Sequence, residues 1–382
     1  MFSWETLHSA AVGGVATHVS ELAAALARRG HEVHVFTRPG QGLGSVRQLD
    51  GVWYHYCPHD LDRSFVDEIA AMCRSLVWHF LEAEKHLGKF EIVHCHDWLT
   101  ADAARSIKRQ RPDLRAVLTM HSTEYGRCGN SFWDGPSIRI REQEWEGTYV
   151  VDRVIAVSSM LKDELSRIYD LPAWKCEVIH NGVPVHEFDG PIDAGRVKRA
   201  YGIAPLDPTI LFCGRLCVQK GPDLLLEAVP ELLRHHERAK FLFLGHGHLF
   251  DELNARAAHL GVAHATRFLG HLQGAPRIEL FKACDAVCMP SRNEPFGIVA
   301  LEGWAASKPV IASQVGGPNE FVWHGVTGLK IQPTVDSVGW GIGTLFADFE
   351  WARWMGANGR HAAETAFTWE IAAQRTERCY TS

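Results

Sequence analysis

The chain of 382 residues lacks a long apolar run and shows no signal-peptide pattern at its start. It also lacks a basic surplus, because 39 lysines and arginines are outweighed by 45 aspartates and glutamates. General nucleic-acid binders carry a basic face, so nucleic acid is not an expected partner. These absences predict a cytoplasmic protein without integral membrane association.

Cysteine is present but follows no recognisable pattern. The ten cysteines are scattered singly, apart from the pairs Cys213/Cys217 and Cys284/Cys288. Neither pair has the spacing of a zinc site, and several cysteines fall in apolar runs. This usage is typical of buried thiols in a reducing compartment.

Short β-branched apolar runs alternate with longer amphipathic segments, which is typical of parallel sheets crossed by helices. The predicted strands of the first half are Val33–Thr37, Ile92–Cys95, Ala116–Thr119 and Val154–Val157. Those of the second half are Ile210–Cys213, Lys240–Leu244, Thr266–Leu269, Ala286–Met289 and Pro309–Ala312. The predicted helices are Val15–Arg29, Val66–Leu87, Pro222–His235, Leu249–Leu260, Ile278–Lys282 and Val299–Ala306.

The zone 182–208 is rich in Pro, Gly and Asp and has no sustained apolar pattern, so it predicts a domain boundary. We expect an α/β protein of two doubly wound domains, residues 1–187 and 188–365, facing each other across a central cleft. In such folds the ligand lies at the carboxyl ends of the strands.

The first strand of the first domain is unusual. It should be central, yet only Met1-Phe2-Ser3-Trp4 precedes the first loop. Either this strand is very short or the chain begins a few residues downstream of its natural start. Losing half a central strand removes burial and ladder hydrogen bonds, so we expect marginal stability in this domain.

Gly13 and Gly14 join the first strand to an amphipathic helix. Glycines let the backbone approach a ligand, and the first amides of a helix favour an anion. A tight turn explains the pair equally well. The spacing is not that of the dinucleotide fingerprint, which counts against a dehydrogenase.

Two cations follow the predicted strand that ends at Cys213. Arg215 comes just after it, and Lys220 lies beside Gly221 in the turn toward the next helix. A diphosphate needs two positive charges, and Arg supplies a bidentate fork while Lys supplies a mobile point charge. The alternative is a solvated turn with ordinary surface cations.

Glu294 and Glu302 flank the segment Pro295-Phe296-Gly297-Ile298-Val299. Gly297 allows the backbone to turn so that successive amides face a ligand. Carboxylates accept pairs of hydrogen bonds from vicinal hydroxyls, which suits sugars and ribose. A lone Glu302 would complement a helix dipole, but the whole segment favours a ligand site.

Gly214-Arg215, Lys220-Gly221 and the Glu294 to Glu302 segment, preceded by Asn181-Gly182-Val183, resemble the family-4 retaining glycosyltransferases of the GT-B fold. The glycogen and starch synthases and the sucrose synthases share this site design. The resemblance implies Rossmann-like domains, with residues 1–187 on the acceptor side and residues 188–365 binding a nucleotide sugar. It also implies that a helix in residues 366–382 crosses back to the N-terminal domain.

The resemblance further implies roles in donor binding. Arg215 and Lys220 would bind the diphosphate and neutralise the charge that develops on the leaving group. Gly13 and Gly14 would lie near this diphosphate and the acceptor. Glu302 would hold the ribose hydroxyls.

Other matched residues would face the transferred sugar. Glu294 would fix it, together with the amides of Phe296, Gly297, Ile298 and Val299. His121 matches the family's histidine beneath the sugar, and Asp97 would contact the sugar or acceptor. A metal site of His121 with His94, His96 and Asp97 is disfavoured, because His94 and Cys95 alternate faces on a buried strand. No metal is expected to be required, because two cations already face the diphosphate.

The implied reaction transfers a hexosyl group, taken as glucosyl, from a UDP- or ADP-hexose to a glucan or small sugar acceptor. Neither a metal nor another cofactor is expected. Glu294 lies on the hydroxyl side of the sugar, so we expect front-face substitution with retention and alpha linkage rather than double displacement. Arg105, Lys108, Arg109, Arg111 and Arg115 form the one basic cluster, which lacks the interleaved aromatics of a membrane-lying face.

Several alternatives stay open at this point. A mannosyl- or other hexosyltransferase could act on a lipid or glycan acceptor. A phosphorylase or an epimerase could use the same two-domain architecture. A non-catalytic two-lobed sugar-binding protein is the alternative from a different class, although it would not need both Arg215 and Lys220.

Overall fold

The computed structural model describes residues 1–11, 13–40, 45–61 and 64–382. The described chain divides into two compact units, one formed by Met1–Asn181 with Trp369–Ser382 and the other by Gly182–Thr368. The predicted boundary after residue 187 lies inside the second unit. Val183 belongs there because its amide donates to the carbonyl oxygen of Phe367 at 2.9 Å. Phe188 packs edge-on against Phe281 of the same unit.

Within the described residues, eight strands of the first unit form one sheet in the order β3-β4-β2-β1-β5-β6-β7-β8. The strands are β1 (Phe2–Ser3), β2 (Val33–Thr37), β3 (Val46–Leu49), β4 (Val52–Tyr56), β5 (Ile92–His96), β6 (Arg115–Met120), β7 (Arg153–Ala156) and β8 (Cys176–Val178). All described pairs are parallel except β3 with β4. The helices are α1 (Gly14–Arg28), α2 (Phe65–Leu87), α3 (Ala101–Gln110), α4 (Glu124–Arg127), α5 (Pro136–Val150) and α6 (Ser159–Tyr169).

The second unit contains a parallel sheet in the order β11-β10-β9-β12-β13-β14. Its strands are β9 (Thr209–Cys213), β10 (Lys240–Leu244), β11 (Thr266–Gly270), β12 (Ala286–Met289), β13 (Val310–Ser313) and β14 (Gly328–Ile331). Its helices are α7 (Ala194–Ala200), α8 (Pro222–His235), α9 (Phe250–His259), α10 (Ala275–Ala283), α11 (Ile298–Ala305), α12 (Pro318–Phe321), α13 (Val335–Ala347) and α14 (Phe349–Ala366). The predicted α/β class with two doubly wound sheets is confirmed.

The chain returns to the first unit in α15 (Trp369–Thr381). Trp369 is buried and lies edge-on to the ring of His18 on α1. Arg29 donates to both carboxylate oxygens of Glu377 at 2.6 and 2.7 Å, and the Tyr380 hydroxyl lies 2.8 Å from Nδ1 of His94. This helix is therefore part of the core of the first unit.

The first strand is central, as expected, and very short. β1 has two residues and lies between β2 and β5, and Phe2 is fully buried with its ring edge-on to Phe36 and Phe80. Burial of this one ring compensates for few ladder hydrogen bonds. None of the described helices has the length and apolar character of a membrane span.

Candidate functional site

The loops after β9 and β10 pack backbone against backbone at the carboxyl edge of the second sheet. A Cβ on Gly245 would lie 2.0 Å from the carbonyl oxygen of Gly214, and one on Gly247 would lie 2.3 Å from that of Leu216. Real Cβ atoms do not approach so closely, so these positions require glycine. The turn that carries Arg215 is thereby fixed in place. Arg215 is exposed and donates to Oε1 of Gln219 at 3.1 Å.

Lys220 and Glu294 form an ion pair at the start of α8. Gly221, at φ 68°, ends the short turn Val218–Lys220 and is followed by Pro222 as the first residue of α8. A Cβ on Gly221 would lie 2.2 Å from the carbonyl oxygen of Pro290, so the loop after β12 runs directly against this turn. Lys220 Nζ donates to Oε1 and Oε2 of Glu294 at 2.8 and 2.7 Å. The structure thus brings together two residues that the sequence placed far apart.

The loop from Glu294 to α11 is held by glycines on two sides. Gly297, at φ 95°, precedes Ile298, the first residue of α11. A Cβ on Gly316 would lie 1.7 Å from the carbonyl oxygen of Glu294, and the Gly317 amide donates to the same oxygen at 2.9 Å. The first amides of a helix have no partner within the helix, so those of α11 are suited to bind ligand oxygens.

Glu302 is held by a residue that the sequence did not indicate. Arg277 donates from Nη1 and Nη2 to the two carboxylate oxygens of Glu302 at 2.7 and 2.6 Å. Burial opposes the charge of Arg277, but the carboxylate of Glu302 and the sulfur of Cys213 keep its pKa above the usual value. Arg277 lies in the first turn of α10, after β11, at the same sheet edge as Arg215. Its position just after a strand is the one feature of the sequence that could have marked Arg277 as a site residue.

The ion pairs Lys220–Glu294 and Arg277–Glu302 are called the charged pairs below. Their side chains are partly exposed, with 20% for Lys220 and 26% for Arg277. All four residues lie in loops or helices that follow strand ends of one sheet. The predicted donor residues Arg215, Lys220, Glu294 and Glu302 therefore share one edge of the second unit.

His18, His96 and His121, called the histidine cluster below, meet at the carboxyl edge of the first sheet. His96 ends β5, His121 follows β6, and His18 lies on α1. Nδ1 of His96 lies 3.3 Å from Nε2 of His121, and the rings of His18 and His121 are 4.5 Å apart. Burial lowers the pKa of His18 to about 4 and holds the pKa values of His96 and His121 well below the usual value. The three rings are neutral at pH 7.

Asp97 lies beside the histidine cluster. It follows His96, is almost fully buried, and has φ 61°, a conformation that few residues other than glycine adopt. Burial raises the pKa of Asp97 to about 6, although Arg127 and the amides of His121 and Ser122 favour its charged form. The structure therefore brings together His121 and Asp97, both of which the sequence selected.

Glu5 binds the amide of Gly13, the residue just before α1. The Gly13 amide donates to Oε2 of Glu5 at 2.9 Å. Gly13 has φ −152°, and a Cβ there would be 3.6 Å from Oε1 of Glu5, which is an ordinary contact. Neither the backbone nor these neighbours require glycine at this position. Gly14, the first residue of α1, is exposed.

The basic cluster has no interleaved aromatics in its own segment, but the structure gives it aromatic neighbours from another helix. Arg105, Lys108 and Arg109 of α3 line a cavity of about 420 Å³ together with Trp145 and Tyr149 of α5. The two aromatic rings stack at 5.7 Å, and both are exposed. The aromatics come from a different helix, so inspection of the basic segment alone could not reveal them.

Comparison with known proteins places both halves of the chain in glycosyltransferase families. The family model described as "Glycosyltransferase Family 4" matches residues 12–187, and the one described as "Glycosyl transferases group 1" matches residues 194–362. An uncharacterized glycosyltransferase of Methanocaldococcus jannaschii is 35% identical, covering all of this chain and 97% of the relative. Glycogen synthase of Mycobacterium tuberculosis is 30% identical, covering all of this chain and 93% of the relative. D-inositol 3-phosphate glycosyltransferase of Actinosynnema mirum is 34% identical over 84% of this chain and 80% of the relative.

Solved structures of low sequence identity share the fold over the entire chain. Sucrose-phosphate synthase from Thermosynechococcus elongatus has a TM-score of 0.83 at 22% identity, covering 98% of that chain. HepE of Anabaena, in complex with UDP-glucose, has a TM-score of 0.77 at 20% identity and 99% coverage. The catalytic domain of starch synthase IV from Arabidopsis thaliana, bound to ADP and acarbose, has a TM-score of 0.80 at 17% identity and 98% coverage. The chain therefore belongs to the glycosyltransferases of the GT-B fold, in the family that includes glycogen synthase.

Proposed function

We propose that this protein is a retaining hexosyltransferase that moves a glucosyl group from UDP- or ADP-glucose to a glucan or small sugar acceptor. The observation that carries the proposal is the arrangement of the charged pairs on one sheet edge beside the first turn of α11. The glycogen synthase relative supports a glucan acceptor, and the structures with UDP-glucose and ADP support these nucleotides. The ten free cysteines, eight of them buried, support a cytoplasmic location.

Lys220 and Arg215 bind the diphosphate in this proposal. An ammonium group has three donors, and the two oxygens of Glu294 occupy no more than two of them. Lys220 therefore bonds to Glu294 and to a phosphate oxygen at the same time. Arg215 is exposed beside it and offers its guanidinium fork to the second phosphate.

Glu302 holds the ribose hydroxyls because Arg277 presents its carboxylate in a fixed orientation. A carboxylate has about four acceptor positions, of which Arg277 uses two. The remaining positions accept hydrogen bonds from two vicinal hydroxyls. Arg277 acts as a positioning residue, since it reaches the donor through Glu302.

The transferred sugar is the ligand of the remaining predicted residues in this proposal. Glu294 and the amides of Phe296, Gly297, Ile298 and Val299 bind its hydroxyls from the second unit. His121 and Asp97 bind it or the acceptor from the first unit, and Gly13 and Gly14 lie near the diphosphate. A neutral imidazole both donates and accepts a hydrogen bond, which matches a sugar hydroxyl.

The proposed reaction is a front-face substitution with retention. The acceptor oxygen forms a bond to the anomeric carbon as the bond to the diphosphate breaks, and the departing diphosphate takes the hydroxyl proton. Lys220 and Arg215 stabilise the charge on the leaving group, so no metal or other cofactor is required. Both oxygens of Glu294 are bound by Lys220, which leaves this carboxylate poorly suited to act as a nucleophile.

The test is release of nucleotide from UDP-glucose, ADP-glucose and GDP-mannose, with and without a short glucan. We expect glucan-dependent release from a glucosyl donor and an alpha-linked product by nuclear magnetic resonance. Turnover of GDP-mannose alone would contradict the proposed sugar. A lack of release with every donor would contradict the transferase assignment, and a beta linkage would contradict retention.

A second candidate is a hexosyltransferase that acts on a lipid acceptor. The cavity between α3 and α5 favours it, because basic and stacked aromatic side chains on one surface suit the membrane–water interface. The same assay with anionic phospholipid vesicles separates the candidates. Vesicle binding that disappears in Trp145→Ala, together with release that depends on a lipid-linked acceptor, would favour this second function.

A further inference from the structure

The histidine cluster has the composition of a metal site. We propose that His18, His96 and His121 bind one divalent cation that prefers imidazole, such as Zn²⁺. One ring nitrogen from each histidine lies within 4.8 Å of the others. Three protein ligands with an open fourth position are the usual arrangement of an accessible zinc site.

The spacing of the nitrogens is close to the required one. Zinc–nitrogen bonds of about 2.0–2.1 Å in a tetrahedron place the ligand nitrogens about 3.4 Å apart. His96 Nδ1 and His121 Nε2 are already separated by 3.3 Å. The ligand nitrogen of His18 lies within 4.8 Å of the other two, so the three rings need only a small shift to reach this spacing.

The lone pair of His18 is available where the cation would bind. Nδ1 of His18 lies 2.8 Å from Oδ1 of Asn181, so Nδ1 carries the proton and Nε2 carries the lone pair. Within the described part of the chain, the buried Nε2 atom of His18 has no hydrogen-bond partner. A carbonyl oxygen on the non-ligating nitrogen is the usual outer partner of a metal-bound histidine. Asn181 therefore acts as a positioning residue for His18.

Two residues beside the histidine cluster, His94 and Asp97, are not direct ligands of the proposed cation. His94 is not a ligand, because its Nδ1 pairs with the Tyr380 hydroxyl at 2.8 Å and its Nε2 with the Thr119 hydroxyl at 2.7 Å. Asp97 lies next to the histidine cluster, and its buried Oδ1 has no hydrogen-bond partner among the described residues. This oxygen can accept a hydrogen bond from a water on the fourth metal position.

Metal binding has a consequence that rests on the proposed function. If His121 contacts the transferred sugar, a cation that takes its lone pair competes with that contact. Zn²⁺ should therefore inhibit nucleotide release competitively with the sugar donor, whereas Mg²⁺, which prefers oxygen ligands, should not. Metal binding itself requires no glycosyltransferase activity.

The direct test is titration of the full chain with Co²⁺, followed by visible absorption, and with Zn²⁺ by calorimetry. We expect one tight site with no thiolate-to-cobalt charge-transfer band. His121→Asn, at a half-buried position, should weaken binding by more than about 100-fold, and Asn181→Ala should weaken it by about 10–100-fold. His259→Asn, on the exposed end of α9, is the control and should bind normally.

Three outcomes would overturn the proposed metal site. These are the absence of a tight site, a thiolate charge-transfer band, or unchanged affinity in His121→Asn and His18→Gln variants that keep the wild-type circular dichroism spectrum. Tight binding without inhibition would leave the metal site in place and contradict the sugar contact of His121. Inactivity with every donor would contradict the proposed function without affecting the binding result.

Discussion

The two sheets present different chemistry at the same end of their strands. At the second sheet, Arg277 keeps its charge although burial opposes it, because the carboxylate of Glu302 and the sulfur of Cys213 hold its pKa above the usual value. At the first sheet, the histidine cluster is neutral because His18 and His96 are at most 4% exposed. Ion pairing therefore preserves charge at one set of strand ends, whereas burial without an ion-paired partner leaves neutral groups at the other. The carboxyl edge of the second sheet, called the charged edge below, suits a diphosphate. The carboxyl edge of the first sheet, called the neutral edge below, suits hydroxyl groups or a metal.

Removing the ammonium from the charged edge should have the largest effect. Lys220→Ala should lower kcat by about 10²–10³-fold, or about 3–4 kcal/mol, because one donor to the leaving diphosphate is lost. Nucleotide release measures this change. Arg234→Ala is the control, since Arg234 lies on the exposed side of α8 and pairs with Glu231. Full activity in both Lys220→Ala and Arg215→Ala would show that these cations do not stabilise the leaving diphosphate.

The neutral edge predicts a pH dependence of stability in the first unit. The pKa of His18 falls from 6.5 to about 4 on folding, because burial disfavours its charged form. Between these values the unfolded chain binds a proton that the folded chain does not. The stability contributed by neutral His18 is therefore complete above pH 6.5 and is lost as pH falls toward 4, by up to about 3 kcal/mol.

Denaturant unfolding at several pH values tests this slope. Hydrogen exchange in β5 and β6 isolates the first unit, which matters because two units need not unfold in one step. The variant His18→Gln should show a shallower loss of stability on acidification than the wild type. Identical slopes would mean that His18 is not neutral in the folded chain.

Loss of the contact that orients Glu302 should have a smaller effect, on binding of the donor. Arg277→Ala should raise the KM for the donor by about 10- to 150-fold, or about 1.5–3 kcal/mol, with little change in kcat. The reason is that ribose contacts are equal in the ground state and the transition state. Arg277→Lys should not restore affinity, because lysine lacks the bidentate fork. Arg196→Ala, which breaks only an exposed pair with Glu279, is the control. A loss confined to kcat would contradict the ribose role.

Substitution of Gly13 should have the smallest energetic effect of the four predicted changes. Gly13→Ala should alter the free energy of unfolding by no more than about 0.5 kcal/mol, since its φ of −152° and its surroundings accept a Cβ. Nucleotide release should nevertheless fall if this loop approaches the diphosphate. Gly343→Ala in α13, where a Cβ would meet nothing within 4 Å, should leave activity unchanged. Equal activity in both variants would favour the tight-turn interpretation of Gly13.

Much of the fold could be predicted from local pattern. The bounds Val33–Thr37, Lys240–Leu244, Ala286–Met289 and Pro222–His235 agree with the structure, because these segments have continuous burial or clear end residues. The strands β3, β8 and β14 were missed, since each has three or four residues and β3 is largely exposed. β4 was also missed, although its alternating burial is visible in the structure.

The residues that contact the predicted site residues could be predicted less well than the site residues themselves. Sequence motifs selected Lys220, Glu294 and Glu302, but the pairing of Glu302 with Arg277 depends on how α10 packs beside α11. His121 was selected, whereas His18 looked like one polar residue of an amphipathic helix. Glu5, which accepts a hydrogen bond from the amide of Gly13 just before α1, belongs to no sequence motif. Contacts between distant segments leave no periodicity in the sequence from which they could be inferred.

The return of α15 to the first unit sets an order of events during synthesis on the ribosome. The second unit, Gly182–Thr368, is a continuous stretch and has all its residues once Thr368 has emerged. The first unit must wait longer, although its sheet is synthesised first, because Trp369 and Tyr380 complete its core. Its apolar surface on α1 stays uncovered through the translation of the second unit. In the cell, the nascent chain exposes this apolar surface for the whole of that interval.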